Sequence, residues 1–325
     1  MKQMKEEGMI LPGMQVRRMS ALYAFSIAVT MVVMISFAGN SFAAVKQKTF
    51  TSPEEAVKAL VAAARNNNDK ELAAIFGPDA KDLLSSGDTV ADRQRRENFL
   101  KHFDEKNSLS PEGESMIIVI GKNDWPFPIP IAKKGQTWFF DTQKGKEEVL
   151  NRRIGENEFY TIQTCLAIVD AQREYAILDR DGDNLNEYAE KFASDPGKKN
   201  GLYWATKDGE EPSPLGQLLA QAKAEGYSKK GAKGNPVPYH GYYYRILKAQ
   251  GKNTAGGAYN YVIKGNMIGG FAVVAYPAKY GNSGVMTFIV NHDGTVYQKN
   301  LGNNTAKIAK AMTKYAPDKT WGKAK

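Results

Sequence analysis

Twelve residues, Asp179-Arg180-Asp181-Gly182-Asp183-Asn184-Leu185-Asn186-Glu187-Tyr188-Ala189-Glu190, carry five carboxylates in an otherwise basic chain. Carboxylates this close raise one another's pKa unless a cation neutralises them, so the run asks for a Ca²⁺ ion. Counted from Asp179 as position 1 of a calcium loop, Asp181 and Asp183 fall at 3 and 5, Leu185 offers its carbonyl at 7, Glu187 lies at 9 and Glu190 takes the bidentate place at 12. These six residues are the candidate metal ligands, and Ca²⁺ is the candidate cofactor. Two positions depart from the pattern: Asn184 stands where the chain must turn sharply, and Asn186 replaces the usual apolar residue at position 8. The plainer account is an Asp-Gly turn followed by a solvated acidic helix start, which the helix dipole favours.

A second candidate is the strand-like run Tyr239-His240-Gly241-Tyr242-Tyr243-Tyr244-Arg245. Alternation puts Tyr242 and Tyr244 on one sheet face and Tyr243 and Arg245 on the other. His240, Tyr242 and Tyr244 therefore form a candidate ligand surface that would stack on a sugar or a peptide. The alternative is an interior strand whose phenols reach the surface. The three histidines, His102, His240 and His292, show no metal-ligand spacing. Cys165 is the only cysteine, which excludes an internal disulfide, and its apolar neighbours at helical spacing make it a small buried hydrophobe. The glycine-rich stretches contain no phosphate-binding loop, no dinucleotide fingerprint and no Gly-x-Ser-x-Gly elbow. The expectation is a non-enzymatic binding or structural module; the alternative is an envelope hydrolase acting on a polysaccharide or peptide through a pair of carboxylates distant in sequence.

The first residues say where the chain works. Lys2, Lys5, Arg17 and Arg18 precede an apolar stretch from Met19 to Ala38, and Ser41-Phe42-Ala43 places small residues at the −3 and −1 positions of a signal-peptidase site. Residues 1–43 read as an export signal cleaved before Ala44, which makes the protein periplasmic or secreted; retention as an anchor is the alternative, since about 20 apolar residues also span a bilayer. Membrane contact is expected only through that segment if it is uncleaved. Its removal takes four basic and two acidic side chains from a net charge of +9 and leaves +7. A basic exported surface favours weak association with an anionic envelope component. The lysines are scattered among acids, and nothing points to sequence-specific nucleic acid binding.

With 325 residues, 42% hydrophobic and 10% aromatic, the chain has globular composition. Ser52-Pro53-Glu54-Glu55 reads as a capping-box helix start, Asn66-Asn67-Asn68 as a break before a second helix at Asp69, and Ala80–Leu84 and Thr89–Phe103 as further helices. The period then changes to strands over Met116–Ile120, Pro126–Ala132 and Thr137–Asp141. Trp125, Trp138, Phe139 and Phe140 fill the core of this unit or line a cleft. One long helix is expected from Lys146 to Leu178, kinked or interrupted at Gly155, and a short exit helix over Tyr188–Ala193. A helix over Leu215–Glu225, a basic loop over 228–234, five strands from Tyr239 to Lys299 with an Asp293-Gly294 turn, and a terminal helix over Ala306–Tyr315 complete the chain. The fold class is α+β, organised as a signal at 1–43, an α+β domain at 45–145, a long helix at 146–178, and an antiparallel sheet domain at 179–325 that carries the acidic loop.

Several blocks carry a resemblance together: Phe50-Thr51-Ser52-Pro53-Glu54-Glu55-Ala56-Val57, Trp125-Pro126-Phe127-Pro128-Ile129-Pro130, Gly201-Leu202-Tyr203-Trp204, and Pro238-Tyr239-His240-Gly241-Tyr242-Tyr243-Tyr244-Arg245. With the acidic run and the Val290-Asn291-His292-Asp293-Gly294 block, they make the chain resemble the bacterial exported family known only as domain of unknown function 2950. The resemblance covers nearly all of the mature chain and implies export, without supplying an activity or site residues. The second half, a long helix followed by an antiparallel sheet, also looks like the head of type IV pilin-like and pseudopilin proteins.

Overall fold

The computed structural model describes residues 46–180, 182–207, 209–228 and 236–324. The export segment, Asp181 and most of the basic loop lie outside the described residues. Helix α1 (Pro53–Arg65) starts as its sequence demands: Ser52 Oγ accepts from Glu55 N at 3.2 Å, while Glu55 Oε2 turns back to accept from Thr51 N and Oγ1. The Asn66–Asn68 break holds Asn67 at φ 50°, and Asn68 caps α2 (Asp69–Phe76) by accepting from Glu71 N. Helices α3 (Ala80–Leu84) and α4 (Thr89–Glu105) follow, the latter capped by Asp88.

The first sheet contains β1 (Asn107–Glu112), β2 (Ser115–Ile120), β3 (Trp125–Pro126), β4 (Ile131–Lys134) and β5 (Thr137–Phe140). Its order is β1-β2-β4-β5, antiparallel throughout, with β3 also paired to β2. Strand β1 has no period-2 pattern and contains Pro111; as an exposed edge strand it tolerates both. The single strand expected over Pro126–Ala132 is split in two. Pro128 and Pro130 lack N–H donors, so β3 pairs with one end of β2 and β4 with the other.

Helix α5 (Thr142–Tyr175) runs 34 residues, about 50 Å, and joins the two halves of the molecule. It continues past Gly155, where a side chain would meet open space: one exposed glycine costs about 1 kcal/mol but does not break a helix held by packing on either side. Gly145 is different, because a Cβ there would lie 2.5 Å from Pro128 O.

The second sheet is a meander of β9 (Ala272–Pro277), β10 (Met286–Asn291), β11 (Tyr297–Asn300) and β12 (Gly322–Lys323), with β6 (Tyr242–Leu247) added beside β9. Short strands β7 (Ala249–Gln250) and β8 (Tyr259–Asn260) pair with each other outside it. Helix α5 covers one face of the sheet and α7 (Thr305–Ala311) contacts the other. The expected Asp293-Gly294 turn joins β10 and β11, with Gly294 N donating to Asn291 O at φ 82°. Helix α7 stops four residues early because Tyr315 leaves it: its N–H donates to Ala249 O and its ring is buried.

Between α5 and α6 (Gly216–Ala224) the expected exit helix over Tyr188–Ala193 does not form. The side chain of Gln172, fully buried, accepts from Ala189 N and donates to Ala189 O, both at 2.8 Å. Tyr188 N donates instead to Met267 O. With those backbone groups satisfied from outside, the segment runs extended and its apolar residues Tyr188, Ala189 and Phe192 join the core.

Two apolar cores result. One gathers Phe50, Leu60, Ile75, Phe76, Ile131 and Phe140 under the first sheet. The other gathers Tyr242, Tyr261, Phe271, Val274, Phe288 and Val290 about the second sheet, on the faces covered by α5 and α7.

Candidate functional site

The first half carries a half-open cavity of about 810 Å³, within the range of small-molecule sites. Its floor is apolar, made by Leu60 of α1, Leu72 and Phe76 of α2, Ile129, and Val149 of α5. Phe99 and Phe127 form one side, with ring centroids 5.3 Å apart. The space exists because α4 is a poor plug. The helix presents Asp92, Arg95, Arg96 and Asn98 to the cavity, and Ala91 is its only buried residue.

The charged groups lining the cavity are unevenly signed: Arg95, Arg96, Lys122, Arg152 and Arg153 against Asp92, Glu105 and Glu156. At the rim, the Arg152 guanidinium lies 4.5 Å above the ring of Trp125, which is 43% exposed. Arg152 Nε also pairs with Glu148 at 2.5 Å. Arg96 is spent on Asn67 and Asp69 at the start of α2.

Arg153 is the exception among the arginines, being only 4% exposed. Its Nη1 donates to Asp82 O at 2.8 Å and Asn282 Oδ1 at 2.6 Å, and its Nη2 to Leu83 O. All three acceptors are neutral. Burial first, and neighbouring Arg95 next, bring the Arg153 guanidinium down to about 10, so it is still a cation at neutral pH.

Beside the cavity a polar seam joins the two cores. Asp88, fully buried, accepts from Val90 N and Ala91 N at the start of α4, and from Tyr227 Oη and Gly241 N across the seam, the last two at 2.9 Å. Arg95 Nη2 donates to Asn157 Oδ1, and Asn157 Nδ2 to Ser283 O. Glu158 Oε1 accepts from Val285 N and Met286 N. Lys279 and Lys146 both approach Asp82.

The strand of tyrosines lies against this seam. Tyr242 and Tyr244 share a face, as alternation requires, and that face meets α5: Tyr242 Oη lies 3.4 Å from Glu158 Oε1, besides donating to Met286 O of β10 at 2.9 Å, and Tyr244 Oη lies 3.4 Å from Thr161 Oγ1. Tyr242 is fully buried and Tyr244 partly so, which leaves no open stacking face on this side of β6. On the other face Tyr243 packs on Tyr276, and Arg245 donates to Ala309 O of α7. His240 sits with Gly241 in a two-residue turn, φ 48° and 75°, closed by the exchange of hydrogen bonds between Tyr239 and Tyr242. Its ring is stacked on Tyr160 at 4.4 Å, meets Tyr239 edge-on, and brings Nε2 to 3.4 Å from Glu225 Oε2. Burial lowers the His240 pKa; Glu225, Asp88 and Glu156 oppose that shift and Arg95 adds to it. Cys165 is fully buried and its thiol is pushed up to about 12 by that burial, which makes it inert.

The acidic run forms a turn of its own. Asp179 accepts from Gly182 N and Asn184 N, and Asn184 adopts the left-handed conformation, φ 65°, as position 6 requires. Asp183 accepts from Leu185 N and from Asn266 Nδ2. Glu187 accepts from Met267 N at 3.0 Å, and Glu190 pairs with Lys248. Leu185 is exposed. Among the described residues no three His, Cys, Asp or Glu side chains gather to hold a metal; Asp181 lies outside them.

The sequence signal for the cavity was Arg153 itself. It falls on the same stripe of α5 as Asn157, Thr161 and Cys165, all buried, so a cation stood at a core position. Trp125, expected in a core or a cleft, lines the cavity, while Phe140 is in the core.

Fold and site together define an α+β protein whose first half carries an apolar-floored, charge-rimmed cavity. Residues 47–324 match the family described as Protein of unknown function (DUF2950), and the chain belongs to that family. No curated protein and no solved structure matches it.

Proposed function

We propose that this protein is an exported, non-enzymatic binding module whose ligand is a small, apolar-bodied molecule held in the N-terminal cavity. The observation that carries the proposal is the space of about 810 Å³ with an apolar floor and a charged rim. A concave apolar floor with a charged rim suits a molecule that buries its hydrocarbon body and keeps a polar group at the edge. Export is supported by the charged leader, the apolar stretch and the Ser41-Phe42-Ala43 site. An anionic envelope component is the partner class that suits the basic mature surface.

A neutral fluorescent dye, Nile red, tests the cavity. Micromolar binding with a blue-shifted emission is expected for the purified protein, and Ala64→Phe, which fills part of the space from α1, should weaken it at least tenfold. Equal binding by the variant would move the dye, and the proposal, away from this cavity. N-terminal sequencing of the form found outside the cytoplasm should begin at or near Ala44; a full-length exported form would remove cleavage from the proposal.

A further inference from the structure

Two donors on residues of the cavity wall lack a hydrogen-bond acceptor. Arg153 Nε and Arg95 Nη1 are both enclosed atoms without a hydrogen-bond acceptor, and both residues line the cavity. Arg95 is otherwise engaged: its Nη2 donates to Asn157, its Nε lies 3.3 Å from Glu156, and Asp92 stands 3.6 Å from Nη1, too far for a hydrogen bond. Arg153 makes no ion pair among the described residues; its acceptors are two backbone carbonyls and an amide. A guanidinium is rarely enclosed without an anion, because dipoles alone only partly replace its hydration. Asp92 and Asp82 offset part of the repulsion between the two guanidinium groups, yet neither supplies an acceptor for Arg95 Nη1 or Arg153 Nε.

We infer that the cavity is a seat for an aliphatic carboxylate, its head accepting from Arg95 Nη1 and Arg153 Nε and its chain lying along Leu60, Leu72, Phe76 and Phe99. This inference rests on the cavity reading and names the substrate class for it. A carboxylate suits the site because two oxygens on one planar head match single donors from two arginines, and such charge-assisted bonds are stronger than neutral ones. The apolar floor requires the rest of the molecule to be hydrocarbon, which separates this ligand from a free anion.

Dodecanoate, 1-dodecanol and acetate, each used to displace Nile red from the purified protein near pH 7.5, test it. The expected result is at least tenfold tighter binding of dodecanoate than of dodecanol, with no displacement by acetate at the same concentration. Arg95→Gln should lower dodecanoate affinity about tenfold and leave dodecanol unchanged. Arg153→Lys, if it folds, should do the same; Arg95 is partly exposed and keeps the test open if it does not. Equal affinity for dodecanoate and dodecanol, or an unchanged ratio in Arg95→Gln, overturns the carboxylate seat while the cavity reading stands. Displacement by acetate overturns the role of the chain. Dodecyl phosphate binding in place of dodecanoate overturns the choice of head group. Failure of dodecanoate and dodecanol alike removes the cavity reading as well.

Discussion

The two halves of this protein solve the same packing problem differently. In the second half, β9 is buried along its whole length, and Phe288 and Val290 of β10 are fully buried on the face covered by α5. In the first half, α4 offers arginines and aspartate where β9 offers valine and alanine, and a cavity opens. Both halves share α5, whose buried stripe changes from Arg153 and Asn157 to Cys165, Ile168 and Val169 as it passes from one to the other. The difference shows that a helix with a polar inner face leaves a cavity where an apolar strand is buried along its whole length.

The largest expected effect comes from removing an aromatic ring on each side. Phe288→Ala should cost about 3–5 kcal/mol, as for a fully buried ring, whereas Phe99→Ala, whose ring already borders empty space, should cost less than about 2 kcal/mol. Urea unfolding of both variants measures this, and equal losses would abolish the contrast between the halves. Adding volume should reverse the order. Ala275→Phe overpacks β9 and should cost about 3 kcal/mol, while Ala64→Phe, at the cavity wall, should be neutral or stabilising by about 1 kcal/mol.

A smaller effect concerns the seam between the halves. Because burial lowers the His240 pKa below the ordinary value of 6.5, the unfolded chain takes up a proton before the folded one does. His240 therefore contributes stability above pH 6.5 that is lost as pH falls through the folded pKa. Thermal unfolding between pH 7 and 5 should show that loss, and His240→Asn, which keeps a residue tolerant of the left-handed turn, should reduce it. An unchanged pH slope would assign the acid sensitivity to other groups.

The smallest effect is expected at the acidic loop. Glu190 would have to leave Lys248 and Asp183 would have to leave Asn266 to meet a cation, so millimolar Ca²⁺ should raise the melting temperature by no more than about 2 °C. A larger rise that is abolished by Asp179→Asn with Glu190→Gln would show that the loop rearranges around the ion.

Local elements were legible in the sequence because each is decided by a few adjacent residues. The Ser52-Pro53-Glu54-Glu55 start, the Asn66–Asn68 break, the alternation of Tyr242 to Arg245 and the Asp293-Gly294 turn all act within one turn or one strand. The failures share a different cause. Gln172 replaced the exit helix by reaching 17 residues along the chain to Ala189, and Tyr315 ended α7 by bonding to Ala249. In each case a distant partner satisfied backbone groups that local patterning had assigned elsewhere.

The same division applies to the site. From sequence alone came the fold class, the family, the export signal as an expectation, and the chemical types available: carboxylates in a run, tyrosines on a strand, arginines on two helices. Only the tertiary structure decided that Asp179, Asp183, Glu187 and Glu190 bond to their own loop and its neighbours, that Tyr242 is core, and that Arg95 and Arg153, 58 residues apart, line one cavity. Charge and shape are local properties of a residue, but whether a charge has a partner depends on every element packed around it.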